Sequence, residues 1–393
     1  MINPYKDVNW KSVQRIASAT HMHISSQNSL DNACKYGIRH FPVSNYYPSA
    51  PYDANTKISN FRLRQSWPVK RHGLLINPPV NWNDIITWQS ELEDPYKSNF
   101  PFTECAPLFK NIPENIILSN NAEHHGFTNM ECHICSPGSS FISGNFDSRG
   151  HYHLDKHGFS VGFGGRWQDG FKDIFDKLDY PDEGGIVICH PTWFSRIPDT
   201  HIMEMLDFDE RVLGIEIYND YSGRRDWSKI SGYHAPPESK PGFSLNLWDR
   251  ILKTGRKCWG FCVPDHSVEK GGNWNGRNIL LVSNFTDRDC LKAYRQGQFY
   301  GSLKDSGLTV RNFAVTENSI SVEVNISSAI KFITENGIVN VVEGKKGEYK
   351  IPMKNNIPDI LFVRVEIEDN SGERLFLQPV MNQKNKLNLN LRR

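Results

Sequence analysis

The sequence predicts an α/β chain: a parallel sheet covered by helices, of the kind that can close into a barrel, followed by an antiparallel β-sandwich-like module. Two observations carry this. Up to about residue 306, short apolar runs alternate with segments of helical spacing, the texture of βα units. From residue 307 onward the pattern changes to period-2 alternation broken by turn signals, the texture of an antiparallel sheet. The boundaries expected are therefore 1–306 and 307–393, and 393 residues are enough for a large domain plus a module.

Each element follows from its own residues. "RIASATHMHIS" reads as a strand, "NSLDNACKYG" as a short helix ending at Gly37, and "IRHFPVS" as the next strand. "WNDIITWQSEL" has helical spacing, "ENIILSN" is strand-like, and "GFKDIFDKLDY" is an amphipathic helix ahead of the apolar strand "GGIVICHP". "VLGIEIYN" and "KCWGFCVPD" read as strands, while "LNLWDRILKTG" and "RDCLKAYRQGQFY" read as helices. In the C-terminal part, "LTVRNFAVTENSISVEVNIS", "IKFITENGIVNVVEG" and "DILFVRVEIEDNSGERLFLQPV" are strands separated by the turn signals ENG, EGKKG and DNSG.

Composition narrows the function. Lys and Arg total 45 against 44 Asp and Glu, with no long basic run, so the footprint of a duplex-binding protein is missing. A nucleic-acid partner is left only as a small nucleotide. No window approaches the roughly 20 apolar residues of a membrane span, and "MINPYKDVNWKSVQRIAS" lacks a signal-peptide core. Eight cysteines include one tight pair, Cys132 and Cys135, with no second pair to complete a zinc ribbon. They read as reduced core thiols, and a cytoplasmic location is the expectation.

The chemistry gathers at the carboxyl ends of the expected strands, where parallel α/β folds place ligands. The first strand ends in His21 and His23, which share a face because alternate residues of a strand do. Later strand ends deliver Glu123 beside His124 and His125, then His133, His190, and the pair Asp265 and His266. Each alone is a common turn or cap residue. Imidazoles and carboxylates recurring at five strand ends are the donor types of a zinc, iron or manganese site. A second His-x-His, in "RGHYHLDKH" (His151, His153, His157), follows no apolar strand and reads as a surface or lid loop.

In this order and spacing the chain resembles the PHP (polymerase and histidinol phosphatase) metallo-phosphoesterases, particularly bacterial two-domain members with a C-terminal β module. The resemblance rests on "THMHIS", "NAEHHGFTNMECHI", "VICHP", "LGIEIYND", "WDRILKTGRKCWGFCVPDHS" and "GRNILLVSNFTDRDCLKAYRQGQFYGS", and spans most of the chain. It implies a distorted (β/α)7 barrel and hydrolysis of a phosphomonoester or phosphodiester by a metal-activated hydroxide at a di-metal centre. By position it assigns His21, His23, Glu123 and Asp265 to one ion, and Glu123, His133 and His190 to the other, with Glu123 bridging. His266 stands near the family's last histidine, but adjacent to Asp265 rather than one residue beyond, which leaves open which of the pair coordinates. The family's third-metal positions carry Asn28 and the triplet Ser44-Asn45-Tyr46 here, poor replacements for a carboxylate and an imidazole. Two divalent ions (Zn, Mn or Fe) are therefore expected, with the third site incomplete.

Leaving-group protonation is assigned to His266 or Tyr46. Arg224, Arg225, Lys270 and Arg277, in loops after expected strands, are the candidates for holding the phosphate of a small phosphorylated substrate. Two rival readings share these residues: an amidohydrolase-type barrel acting on C–N or C–O bonds, and a metal-stabilised binding protein without turnover.

Overall fold

The computed structural model describes residues 1–24, 27–44, 69–71, 74–76, 111–124, 132–139, 159–161, 167–192, 197–224, 242–270, 272–304 and 307–382. The expected helix "WNDIITWQSEL" and the second His-x-His segment lie outside them. β1 (Gln14–Ser18) leads through α1 (Gln27–Lys35) to β2 (Ile38–Pro42). The short strands β3 (Val69–Arg71), β4 (Leu74–Ile76), β5 (Ile117–Ser119), β6 (Glu123–His124), β7 (Ile134–Cys135) and β8 (Phe159–Val161) follow. Next come α2 (Trp167–Phe175), β9 (Ile186–Ile188), α3 (Asp199–Phe208), β10 (Val212–Asn219), α4 (Asp220–Arg224) and α5 (Leu245–Lys253). β11 (Trp259–Val263), α6 (Ser267–Lys270), β12 (Arg277–Val282), α7 (Asp287–Gln296) and β13 (Phe299–Ser302) complete the first part. The C-terminal part contributes β14 (Val310–Val315), β15 (Ser319–Thr334), β16 (Gly337–Lys350), β17 (Met353–Lys354), β18 (Ile357–Pro358), β19 (Phe362–Asp369), β20 (Arg374–Leu377) and β21 (Val380–Met381).

These strands form a mixed α/β arrangement dominated by one large sheet. Its path runs β14-β15-β19-β20-β13-β12-β1-β2-β5, with β16 added on β15 and β21 on β19. β1, β2 and β5 are parallel, whereas β12 joins β1 antiparallel. A second sheet runs β11-β10-β9-β7-β6, with β9, β10 and β11 parallel. Among the described residues no sheet closes, so the barrel expected from the sequence is not formed as a continuous ladder. The two sheets meet at an isolated bridge between Met22 and Asp265, where the Asp265 N–H donates to the His21 carbonyl at 3.0 Å.

The parallel strands β9, β10 and β11 are mostly apolar because both of their faces are covered. All eight residues of β10 are buried. One side packs on Phe171, Ile174, Ile202, Met205, Trp248 and Ile251, supplied by α2, α3 and α5. Backbones here approach so closely that β10 tolerates only glycine at position 214. A Cβ there would land on the Trp259 backbone of β11. Gly214→Ala is expected to cost about 2–3 kcal/mol through this overpacking, read as a lowered denaturation midpoint at unchanged m-value.

The C-terminal strands are antiparallel, as their alternation predicts. ENG is the reversal between β15 and β16, with Gly337 at φ +86°. DNSG separates β19 from β20, with Gly372 at φ +79°. EGKKG is not a turn. It lies inside β16 at a register irregularity, because one extra stretch of β15 (between Glu323 and Ser328) is accommodated there as a bulge. These strands continue the large sheet through the β13–β20 pair. Phe362, Phe376 and Met381 pack in the same apolar cluster as α5. The seven cysteines described are free, six of them buried.

Candidate metal centre

The strand ends converge as the alternation requires. His21 and His23 lie just past β1, Glu123 starts β6, His133 precedes β7, His190 follows β9 and Asp265 follows β11. All six are buried. His190 and Asp265 have positive φ, +26° and +54°, a conformation that is costly for residues with a Cβ and that clusters at functional sites. The His190 backbone is held there by its N–H donating to Glu216 Oε2 at 2.6 Å.

Three donor atoms form a triangle of nearly equal edges. His21 Nε2 lies 3.2 Å from His23 Nε2, and Glu123 Oε2 lies 3.3 and 3.2 Å from those two nitrogens. Asp265 Oδ1 completes a second triangle on the same two nitrogens, at 3.2 and 3.3 Å. An equilateral triangle of such edges has a circumradius of about 1.9 Å, so one ion can lie at the roughly 2.0–2.1 Å typical of zinc–nitrogen and zinc–oxygen bonds from all three atoms. The other oxygen of the same carboxylate, Glu123 Oε1, faces His133 Nδ1 at 2.8 Å and His190 Nε2 at 3.4 Å. Glu123 thus turns one oxygen to each histidine pair. The residues fit divalent cations in chemistry and spacing, as two groups: His21, His23 and Glu123, and Glu123, His133 and His190.

The electrostatics ask for positive charge. Burial opposes protonation of His21, yet the charges around it, Asp265 foremost, outweigh burial and hold its pKa well above the ordinary value. For His23, burial is likewise overcome by hydrogen bonds to Asp265 and Glu123, which raise it to about 9. Asp265 is disfavoured as an anion by burial but held far below the usual carboxylate range by His21 and His23. His190 shifts the other way, because burial dominates. A cation bound between these groups supplies the charge that protons otherwise provide.

A residue that sequence reading passed over organises this cluster. Glu216, buried in the middle of β10, accepts from His21 Nδ1 at 2.7 Å and from Asn219 Nδ2 at 2.9 Å. Asn219 also donates to Asp265 Oδ2 at 3.0 Å. A carboxylate that accepts a hydrogen bond from the Nδ1–H of a histidine favours, in the neutral ring, the tautomer that presents Nε2 as a lone pair. The signal was in the sequence: an acidic residue inside the apolar run "VLGIEIYN" must have a polar partner in the interior.

The remaining expected residues fall variously. His266 is 25% exposed at its side chain and stacks on His23 with ring centroids 3.8 Å apart. It groups with His23 and Asp265 as a donor set, so both members of the Asp-His pair reach the cluster. His124 points elsewhere, bonding Ser136 Oγ at 2.8 Å, and burial lowers its pKa to about 3. Asn28 lies exposed on α1. Ser44 is buried in a backbone-bonded role, donating to the Thr20 carbonyl and accepting from Met22 N–H. Arg224 pairs with Asp220 at 2.6 Å and donates to the Asn273 carbonyl. Arg277 donates to the carbonyls of Tyr36 and Lys304 at 2.9 and 3.0 Å. Tyr46, Arg225, His125 and the side chain of Lys270 lie outside the described residues.

No helix among the described residues is long and apolar enough to cross a membrane. No protein-family model and no curated protein matches the chain. Two solved structures are similar to it. One is PsfC from Pseudomonas syringae PB-5123, at 12% identity over 75% of this chain and 93% of that one, with a TM-score of 0.35. The other is a two-domain protein containing a predicted PHP-like metal-dependent phosphoesterase from Bacteroides vulgatus ATCC 8482, at 10% identity over 92% of each chain, with a TM-score of 0.41.

Proposed function

We infer that the protein is a metal-dependent phosphoester hydrolase built around a two-ion centre on a distorted (β/α)7 barrel of residues 1–306, with residues 307–393 as an appended β module. The observation that carries this is the split carboxylate: Glu123 directs one oxygen to the His21–His23 pair and the other to the His133–His190 pair. When bound, two divalent ions there lower the pKa of water and neutralise charge on the phosphate oxygens. His21, His23 and Asp265 would hold the first, His133 and His190 the second, and Glu123 would offer one oxygen to each. Glu216, paired with His21 Nδ1, turns Nε2 toward the cluster as the atom that would ligate and, through Asn219, fixes Asp265. His266, stacked on His23 and the most exposed of the set, is placed to give a proton to the leaving oxygen. The substrate is a small phosphorylated molecule.

The test is a metal analysis combined with a panel of phosphomonoesters, phosphodiesters, lactones and amides, assayed with added zinc or manganese. Close to two equivalents of metal and turnover confined to the phosphoesters are expected. Turnover of lactones or amides alone would move the chain to the amidohydrolase chemistry, and bound metal with no turnover would make it a binding protein.

Glu216 offers a sharper check. In Glu216→Gln, an amide N–H2 facing His21 donates to Nδ1 and drives the proton onto Nε2, the atom needed as a ligand. Metal affinity is expected to fall about 10–100-fold, read by competition against a chromophoric chelator on variant protein whose fold is verified by circular dichroism. Unchanged affinity would remove His21 Nε2 from the ligand set.

A further inference from the structure

The buried thiols of this chain divide into two kinds. Of the six buried cysteines described, Cys132, Cys258, Cys262 and Cys290 pack inside apolar clusters, where a free cysteine acts as a small hydrophobe. Cys135 and Cys189 are just as deeply buried, yet they belong to none of the apolar clusters among the described residues. The two-ion centre uses neither of them.

The pleat of the second sheet explains where these two thiols point. Cys135 of β7 stands directly opposite Glu123 of β6 and Val187 of β9, so its side chain shares the face of Glu123. Cys189 comes two residues after Val187, with its N–H still on the ladder to the His133 carbonyl at 3.0 Å, and so falls on that face too. There the two sulfurs meet His21: one ring nitrogen and both Sγ atoms lie within 4.8 Å of one another. Ligands about 2.3 Å from one ion stand at most about 4.6 Å apart, so these three atoms are already near coordinating separation. The Cys189 thiol is held only weakly, donating to the Val187 carbonyl at 3.7 Å. Negative charge is at hand, with Glu216 at 2.7 Å and Glu123 at 3.3 Å from the His21 ring nitrogens.

We propose that Cys135, Cys189 and His21 form a site for a thiophilic cation of the Cu(I) or Cd(II) type. Two thiolates and an imidazole are a soft donor set, which selects such ions over magnesium, calcium or manganese. On binding, each thiol gives its proton to solvent, two sulfur–metal bonds and one nitrogen–metal bond form, and no electron is transferred. The site differs in donors from the nitrogen–oxygen groups of the two-ion centre and rests on no step of the hydrolysis.

The experiment titrates the metal-stripped full-length protein with cadmium chloride, following the ultraviolet thiolate-to-cadmium charge-transfer band, and records the cadmium-113 NMR spectrum at saturation. A band that saturates at one thiolate-bound ion per chain is expected, with one resonance in the range of sulfur-ligated cadmium. Cys135→Ser and Cys189→Ser, which keep the side-chain size, are each expected to lose that band and to weaken binding of this ion about a hundredfold or more. His23→Ala removes a donor of the two-ion centre but none of this site, and should keep the band, so the two sites can fail separately. Circular dichroism verifies the fold of each variant. The proposal is overturned if the wild type shows no band and only nitrogen- and oxygen-ligated resonances, if either folded serine variant keeps the full band, or if folded His23→Ala loses it. The wild-type NMR spectrum needs no variant, so a serine protein that failed to fold would still leave the question decided.

Discussion

Glu123→Ala is expected to abolish metal binding by both halves of the cluster in one step. His21 and His23 would lose the oxygen 3.2–3.3 Å from their nitrogens, and His133 and His190 would lose the other oxygen of the same side chain. A residue serving a single ion would leave the second ion in place, so metal stoichiometry distinguishes the two arrangements. Metal content should fall from about two equivalents to well below one. Hydrolysis of the best phosphoester should drop on the order of a thousand-fold or more, several kcal/mol of barrier at 1.4 kcal/mol per decade. The metal-dependent rise in melting temperature, which follows from ligand binding to the folded state alone, should vanish as well. His133→Ala is the matched control and should retain one equivalent. If Glu123→Ala kept both ions, the carboxylate would be a structural partner of four histidines and the two-ion reading would fail.

What the sequence disclosed about this site depended on geometry that short-range pattern encodes. Strand ends are legible because apolar runs stop there, so the residues that follow (His21, Glu123, His190, Asp265) could be listed in advance. Their mutual distances could not, since they depend on how β1, β6, β9 and β11 are brought side by side. Strand ends do not disclose Glu216, because it acts from the middle of β10 behind His21. The two-part texture of the chain was legible from period 2 against period 3.6. That β20 pairs with β13, making one sheet across the boundary, was not. Edge pairing is made by backbone N–H and C=O groups, which every sequence supplies alike. The EGKKG segment shows the same limit: two glycines and two lysines signal a turn, but in a long hairpin they equally suit a bulge.

That shared sheet makes the contact between α5 and β19 the second place where a single substitution should matter most. Arg364, on β19 and only 3% exposed, bonds Asp249 of α5 through two nitrogens, at 2.6 and 2.9 Å, and reaches Glu366 Oε1 at 2.5 Å. Glu366 is held on its other oxygen by Arg374 at 2.8 Å. The guanidinium also lies 5.1 Å from the Trp248 ring centroid. Removing one member of a buried charge group leaves the others desolvated and unpaired, and Arg364→Met is expected to cost about 3–5 kcal/mol at pH 7. The cost has a defined pH dependence. Burial alone would raise the Glu366 pKa, but Arg364 and then Arg374 overcome it and hold it below the ordinary carboxylate value. A carboxylate with a depressed folded-state pKa contributes stability that is full above its unfolded pKa, about 4.3, and lost as pH falls through the folded value. The gap between wild type and Arg364→Met should therefore be widest near neutrality and narrow below about pH 4, as both proteins protonate Glu366. Urea titrations at pH 7 and in that acidic range measure it directly. A gap that stayed constant with pH would assign the loss to Trp248 packing instead, and a double-mutant cycle with Asp249→Ala would then show no coupling between the two side chains.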